Sequence, residues 1–349
     1  MKLNKWILYI GSVLPLIFTA CSSDVTEIVE SKQQEPVEIR MNTGILSEAS
    51  PVTRGDGMID KTLKADLAVH FARADKAGST PAYPAAYDAT RLIGTVDYDG
   101  TNTPLSFTPK AYYLANGKSS KLIGWYPQSG TYDASAKTVT FGAIDGSTDI
   151  MVTKLKEGNK TTQVSAITFE HVLTQISVQA YAADAAANTA WGGIKSIKIK
   201  GKKQGCVVTL PDPSTANAET NATVVFNGTD DLDLVKKKPT DNTEIMQGAS
   251  AYGDSNPLAL GVKSESGNNA VLAGYAMFAP VAAAADAKIT LEIVMEKGAA
   301  SDAKEITLAA GYLKSSSYVI TLKFTSTEIV PNVTIEEWKT GTAPGEVII

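Results

Sequence analysis

Histidine and cysteine are nearly missing from this 349-residue chain, which has two of each. A metal centre needs clustered Cys, His and carboxylate ligands, yet His70 and His171 stand apart among strand-like residues. Cys21 and Cys206 offer no disulfide framework, and Cys206, in the run Gln204-Gly205-Cys206-Val207-Val208, reads as a small buried hydrophobe. Also lacking are a Gly-x-Ser-x-Gly elbow, a phosphate-binding glycine loop and a His pair at helical spacing. Catalysis, metal and cofactor are therefore not expected. Asp230-Asp231-Leu232-Asp233 lacks the glycine and distal glutamate of an EF-hand loop and reads as a solvated turn. Positive charge is scarce too: the formal net charge is −5, and Lys236-Lys237-Lys238 is the only basic triplet. Such a surface does not attract nucleic acid.

Close to the start an apolar run, Trp6 to Phe18, follows Lys2 and Lys5. It is too short and too near the start for an ordinary membrane span, and has the form of an export signal. Leu16-Ile17-Phe18-Thr19-Ala20-Cys21 places small residues before a cysteine where hydrophobicity stops, and resembles the lipobox of bacterial lipoproteins. Residues 1–20 are thus read as a signal peptide and Cys21 as the lipid-bearing residue, anchoring the precursor in a membrane. Residues 21–35 are polar and without a sustained apolar face, a flexible tether. The remainder exceeds what one core usually holds, so two domains are expected, 36–182 and 183–349.

What fills them is period-two alternation. Val37, Ile39 and Met41 alternate with Glu38, Arg40 and Asn42, as a strand with one buried face requires. A loop from Gly44 to about Lys64 follows, carrying Ser50-Pro51-Val52-Thr53-Arg54-Gly55, exposed and open to proteases. Leu67, Val69 and Phe71 share a face from which His70 points away. Further strands are expected at 91–98, 121–126, 138–144, 150–154 and 165–181, with Ile176, Val178 and Ala180 inward. The alanine-rich stretch 182–191 predicts a short helix stopped by Gly192-Gly193, before Ile194, Ile197 and Ile199 resume the strand pattern. Strands are expected again at 206–210, 223–227, 270–278, 288–295, 318–324, 333–338 and 346–349. Short strands separated by turns predict an all-β sandwich architecture.

Several segments, in order, resemble the fimbrillin family, lipoprotein precursors of type V pili in Gram-negative bacteria. They are the lipobox at Cys21, Pro51-Val52-Thr53-Arg54, Asp149-Ile150-Met151 and Ile167-Thr168-Phe169-Glu170-His171-Val172-Leu173. Later come Phe278-Ala279-Pro280, Leu308-Ala309-Ala310-Gly311, Tyr318-Val319-Ile320-Thr321-Leu322 and Ile335-Glu336-Glu337-Trp338-Lys339-Thr340-Gly341. The resemblance implies two transthyretin-like β-sandwich domains in tandem and a structural, non-enzymatic pilus subunit supporting cell adhesion. It implies an outer-membrane precursor held by an acyl chain such as palmitate on Cys21. A processing protease would cut after Arg54, removing the strand of Val37, Ile39 and Met41, and other pilin subunits would then join by strand exchange in the fimbrium. Either C-terminal strand region, 333–338 or 346–349, is open as the donor. The alternatives are an anchor or accessory pilin, or a surface lipoprotein that does not polymerise and binds a glycan or host ligand.

Overall fold

The computed structural model describes residues 35–45, 65–78, 83–98, 103–236, 252–264, 267, 269–298 and 302–337. The strands up to the expected boundary are β1 (Met41–Ile45), β2 (Ala65–Asp75), β3 (Leu92–Tyr98), β4 (Thr103–Phe107), β5 (Ser120–Tyr126), β6 (Thr131–Asp133), β7 (Thr138–Ala143), β8 (Met151–Thr153), β9 (Lys156–Gly158), β10 (Ala166–His171) and β11 (Thr174–Ala182). Helix α1 (Ala185–Trp191) follows, then β12 (Ile194–Thr209), β13 (Thr223–Asp233), β14 (Gly261–Val262), β15 (Val271–Phe278), β16 (Lys288–Met295), β17 (Asp302–Thr307), β18 (Ser316–Phe324) and β19 (Ile329–Glu337). The chain is all-β, with α1 as the helical exception among the described residues. That helix forms where the alanine run predicts it. Asp184 caps its start by accepting from the Ala187 amide at 2.7 Å, and Gly192, at φ 66°, ends it in a conformation that an L side chain resists.

Three sheets organise the strands. The first has eight, in the order β2, β3, β4, β1, β10, β8, β5, β9, and β2 also pairs with β5, so all but β9 close into a ring. The second, of five, has the order β14, β11, β18, β19, with β15 on β11; the third, of six, runs β17, β16, β12, β7, β6, with β13 on β12. Alternation sets the inward faces. Ile176, Val178 and Ala180 are fully buried on β11, and Ile289, Leu291, Ile293 and Met295 are buried on β16.

The apolar side chains gather in three cores. One lies within the ring, around Met41, Val69, Phe71, Phe107 and Phe169. Another is built from later residues, including Ile176, Ile197, Leu291, Ile320 and Val333. Between them in chain order is a core shared by both halves, in which Ala72, Trp125 and Val139 meet Cys206, Val208 and Met277. Residue 182, the expected boundary, is the last of β11, and the sheets continue across it, with β7 pairing antiparallel to β12 at Val139↔Val208. The described residues from 36 onward form one compact unit.

β2 and β5 face two cores at once, which explains His70. It points away from Val69 and Phe71 as the alternation predicts, but the other face, which it shares with Ala72, Ala74 and its cross-strand partner Trp125, is packed as well, in the core that includes Val139, Cys206 and Met277. His70 is therefore buried, with its ring edge-on to Trp125 at 5.9 Å. Lys121 on β5 is buried too. Its ammonium donates to the carbonyls of Pro213 (2.8 Å) and Ala216 (2.7 Å) and sits 4.1 Å above the Tyr83 ring, tying the first sheet to a segment beyond β12. Burial lowers its pKa.

Two outcomes follow from this double-sided packing. Gly124 lies opposite Phe71 in the β2–β5 register, and a Cβ there would come 2.5 Å from the ring. Gly124→Ala is expected to cost about 1–3 kcal/mol by overpacking, whereas Gly142→Ala, whose Cβ meets nothing within 4 Å, should leave urea denaturation nearly unchanged. Desolvation, aided by the charge of Arg91, lowers the His70 pKa from the ordinary histidine value. The unfolded chain then takes up this proton at a higher pH than the folded one. The stability tied to neutral His70 is complete above about pH 6.5 and is lost as pH falls below it. Denaturation at pH 7.5 and pH 5 should show a larger loss for the native sequence than for His70→Gln.

Candidate functional site

The residues singled out first in the sequence, Val37, Ile39 and Met41, lie on a segment threaded into the ring. Its regular part begins at Met41, later than the alternation suggests, and runs on to Ile45. The preceding residues are paired all the same: the Ile39 amide donates to the Ala111 carbonyl (2.8 Å), the Tyr113 amide donates to Val37 (2.9 Å), and Glu38 bridges Tyr112. From there β1 runs antiparallel to β4, with Met41↔Leu105, and parallel to β10, with Asn42↔Ala166. It is thus flanked on both edges.

Burial follows parity along this segment. Ile39 is 1% exposed and Met41 2%, Val37 packs against the same core half-buried, and Thr43 is buried at 1%. Thr43 continues the inward series two positions beyond Met41, and sequence reasoning missed it because a threonine gives no apolar signal. On the outer face Glu38 accepts from Arg40 (2.8 Å) and Lys110 (3.2 Å). The bond from Arg40, with that from Lys110, holds the Glu38 carboxyl below its usual range. These exposed pairs stabilise little. The inward side chains and backbone bonds hold the segment: roughly 1.5–3 kcal/mol for each large apolar side chain buried and about 0.5–1.5 kcal/mol per hydrogen bond. Without it, β4 would keep only β3 and β10 only β8, leaving two open strand edges beside an apolar groove.

The other expected site residues are not gathered here. Cys21 and Arg54 lie outside the described residues, as does the tail from 338 onward. In sequence, Arg54 falls on the stretch between the end of β1 and the start of β2. Cys206 is fully buried, and desolvation pushes its thiol up to about 12, so it is an unreactive core residue. Among the described residues no group of three or more His, Cys, Asp or Glu is placed to hold a metal ion. Asp231 of the acidic run is bound within the fold instead, accepting from Lys200 (2.5 Å) and from the Gly201 amide (3.0 Å). Lys236 donates to the Tyr252 carbonyl at 3.0 Å and stands over that residue's ring.

A buried polar pair escaped sequence reasoning as a pair, although both members lie in segments that it quoted. His171 Nδ1 is 2.7 Å from Asp149 Oδ2, with both side chains sealed from solvent. The Ser315 hydroxyl is near in the fold but donates to the His171 carbonyl at 2.9 Å, so the three residue types do not form a nucleophilic relay. The pair joins the start of β8 to the end of β10, where the Val172 amide donates to Ile150. Its place is structural. Only the 22-residue separation hides it from a linear reading.

A family model described as fimbrillin-like matches residues 71–338. No curated protein sequence matches the chain. Among solved structures, a proposed cell adhesion protein from Bacteroides uniformis is 14% identical, with a TM-score of 0.52 over 86% of this chain and 98% of its own. One from Bacteroides ovatus is 13% identical, with a TM-score of 0.49 over 88% and 99%. The tip fimbrial protein Mfa3 from Porphyromonas gingivalis, truncated at its C-terminus, is 9% identical, with a TM-score of 0.38 over 86% and 99%. At such identities the first of these speaks for the fold alone.

The parity of the threaded segment is directly testable. Ile39→Ala and Met41→Ala should each cost about 2–5 kcal/mol in urea denaturation of the intact chain, while Asn42→Ala on the exposed side of the same strand should stay within about 0.5 kcal/mol of the native sequence.

Proposed function

Because the chain belongs to the fimbrillin-like family, we propose that it is a structural subunit of a type V pilus supporting cell adhesion. It is exported as a lipoprotein through Cys21 and assembled by strand exchange once cleavage after Arg54 releases the strand of Val37, Ile39 and Met41. The family points to a structural, non-enzymatic role at a cell-surface appendage. On this reading the chain is two transthyretin-like β-sandwich domains in tandem, 36–182 and 183–349, joined through the shared middle core. The observation that carries the proposal is the position of the first strand, an inner member of the ring paired with β4 on one edge and β10 on the other; on this reading residues 1–35 are signal and tether. It can therefore leave without threading any other element. Its departure would open a groove lined by apolar side chains and flanked by the edges of β4 and β10, which an extended segment of another subunit fills by β-augmentation. Donor and acceptor are different surfaces, so the contact is heterologous and propagates as a fibre.

Processing and assembly are read together by comparing the native sequence with Arg54→Ala. Fibres of the native protein should yield subunits whose N-terminus is Gly55, by intact mass and N-terminal sequencing. Arg54→Ala should leave a lipid-anchored coat without filaments in immunogold electron microscopy. Fibres whose subunits still begin at lipidated Cys21 would sink the cleavage step, and a native protein that forms no filaments would point to a surface lipoprotein instead.

A further inference from the structure

A cleft of about 940 Å³ lies away from the slot of the first strand. Its walls are β8, the link from β10 to β11, β13, and the segments 280–282 and 313–315, with Val152, Val172, Val224, Phe226, Val281 and Leu313 supplying apolar surface. Leu313 is 45% exposed there. Beside the cleft, residues 223–227 of β13 pair with β12 on one side and with no other strand among the described residues. This edge, Thr223-Val224-Val225-Phe226-Asn227, is apolar and uncharged, with Val225 55% exposed. We propose that the cleft and the β13 edge together form a docking site for an extended peptide strand with alternating aliphatic side chains and a carboxylate.

Two features select that chemistry. Val224 and Phe226 line the cleft while Val225 lies on the opposite face. A strand added to this edge continues the pleat, so its own alternate side chains project on the Val224 and Phe226 side, where an apolar surface awaits them. At the mouth, Glu170 stands between Lys154 (3.7 Å) and Lys314 (3.9 Å). Both separations exceed hydrogen-bond length, and two ammonium groups against one carboxylate leave an excess of positive charge with donors to spare. A carboxylate on the incoming strand is complementary to that mouth, whereas a lysine would meet two like charges. The slot uses the inward face of residues 37–43; none of them lines this cleft. The site therefore does not depend on removal of the first strand.

The test uses the whole chain and a fluorescein-labelled peptide, Val-Thr-Val-Thr-Glu-Thr, whose carboxylate projects on the same face as its valines, blocked at both ends and followed by anisotropy. It should bind saturably, and the same peptide with Lys in place of Glu should bind at least about tenfold more weakly. Lys314→Glu, at a largely exposed position, should weaken the acidic peptide about tenfold, corresponding to roughly 1.4 kcal/mol. The circular dichroism spectrum should not change. Hydrogen exchange should show new protection at residues 223–227. Equal binding of the two peptides, no effect of Lys314→Glu, or protection confined to residues 103–113 and 166–169 would overturn the proposal. So would a concentration-dependent dimer of the chain alone that already protects residues 223–227, since the edge would then belong to a second copy.

Discussion

The burial of Ile39 and Met41 against Phe71, Phe107 and Phe169 is the contact on which the first ring depends. A closed arrangement of strands has no edges to protect, but here closure relies on a first segment whose two neighbours, β4 and β10, lie far along the chain. Met41 pairs with Leu105 on one side, and Asn42 pairs with Ala166 on the other. The second of these is a parallel contact between distant residues, which must overcome the entropy of closing a long loop before its hydrogen bonds stabilise anything. What offsets that cost is the inward row, since the outer ion pairs of Glu38 are too exposed to contribute much.

The ring is not isolated from the rest of the chain. On β5 alternate side chains go to different cores: Leu122 faces the ring, while Ile123 and Trp125 face the core shared with later strands. β2 does the same with Phe71 and Ala72. Packed interiors transmit displacement because they have little free volume. On the proposed reading, a change in what fills the first-strand slot is expected to be felt on the far face of β2 and β5, whose alternate side chains enter the other core. Lys121 adds a polar tie at the same strand through the carbonyls of Pro213 and Ala216.

Much of this was legible in the sequence because alternation is a local signal. The strands around Ile176, Ile289 and Tyr318 and the helix ended by Gly192 fall where the pattern puts them. Short strands such as β6, β9 and β14 give too few residues for a period to show, and β17 mixes Asp302, Lys304 and Glu305 with a single fully buried Ile306. β12 was divided by Gly201 to Gly205 in the sequence, yet it runs unbroken for 16 residues, changing partners along its length from β16 to β13 and β7. No linear pattern reports a partner exchange. The same limit applies to His70, whose side could be read but whose burial depended on what another strand laid over it. It applies again to the 2.7 Å pairing of Asp149 with His171.

Register is the remaining constraint on the first strand. Val37, Ile39, Met41 and Thr43 face inward and Arg40 and Asn42 outward, so a slip of one residue would drive a guanidinium and an amide into an apolar core. A slip of two keeps the parity but moves a threonine to a position shaped for methionine. The slot thus discriminates strongly between odd and even registers by charge burial, and more weakly between registers two apart by volume. Any strand that replaces this one on the proposed reading needs apolar side chains two residues apart and polar ones between them, while its outward residues are nearly free to vary. Specificity among such strands must then come from the size of the inward side chains, because the positions of Ile39, Met41 and Thr43 are the enclosed part of the contact among the described residues.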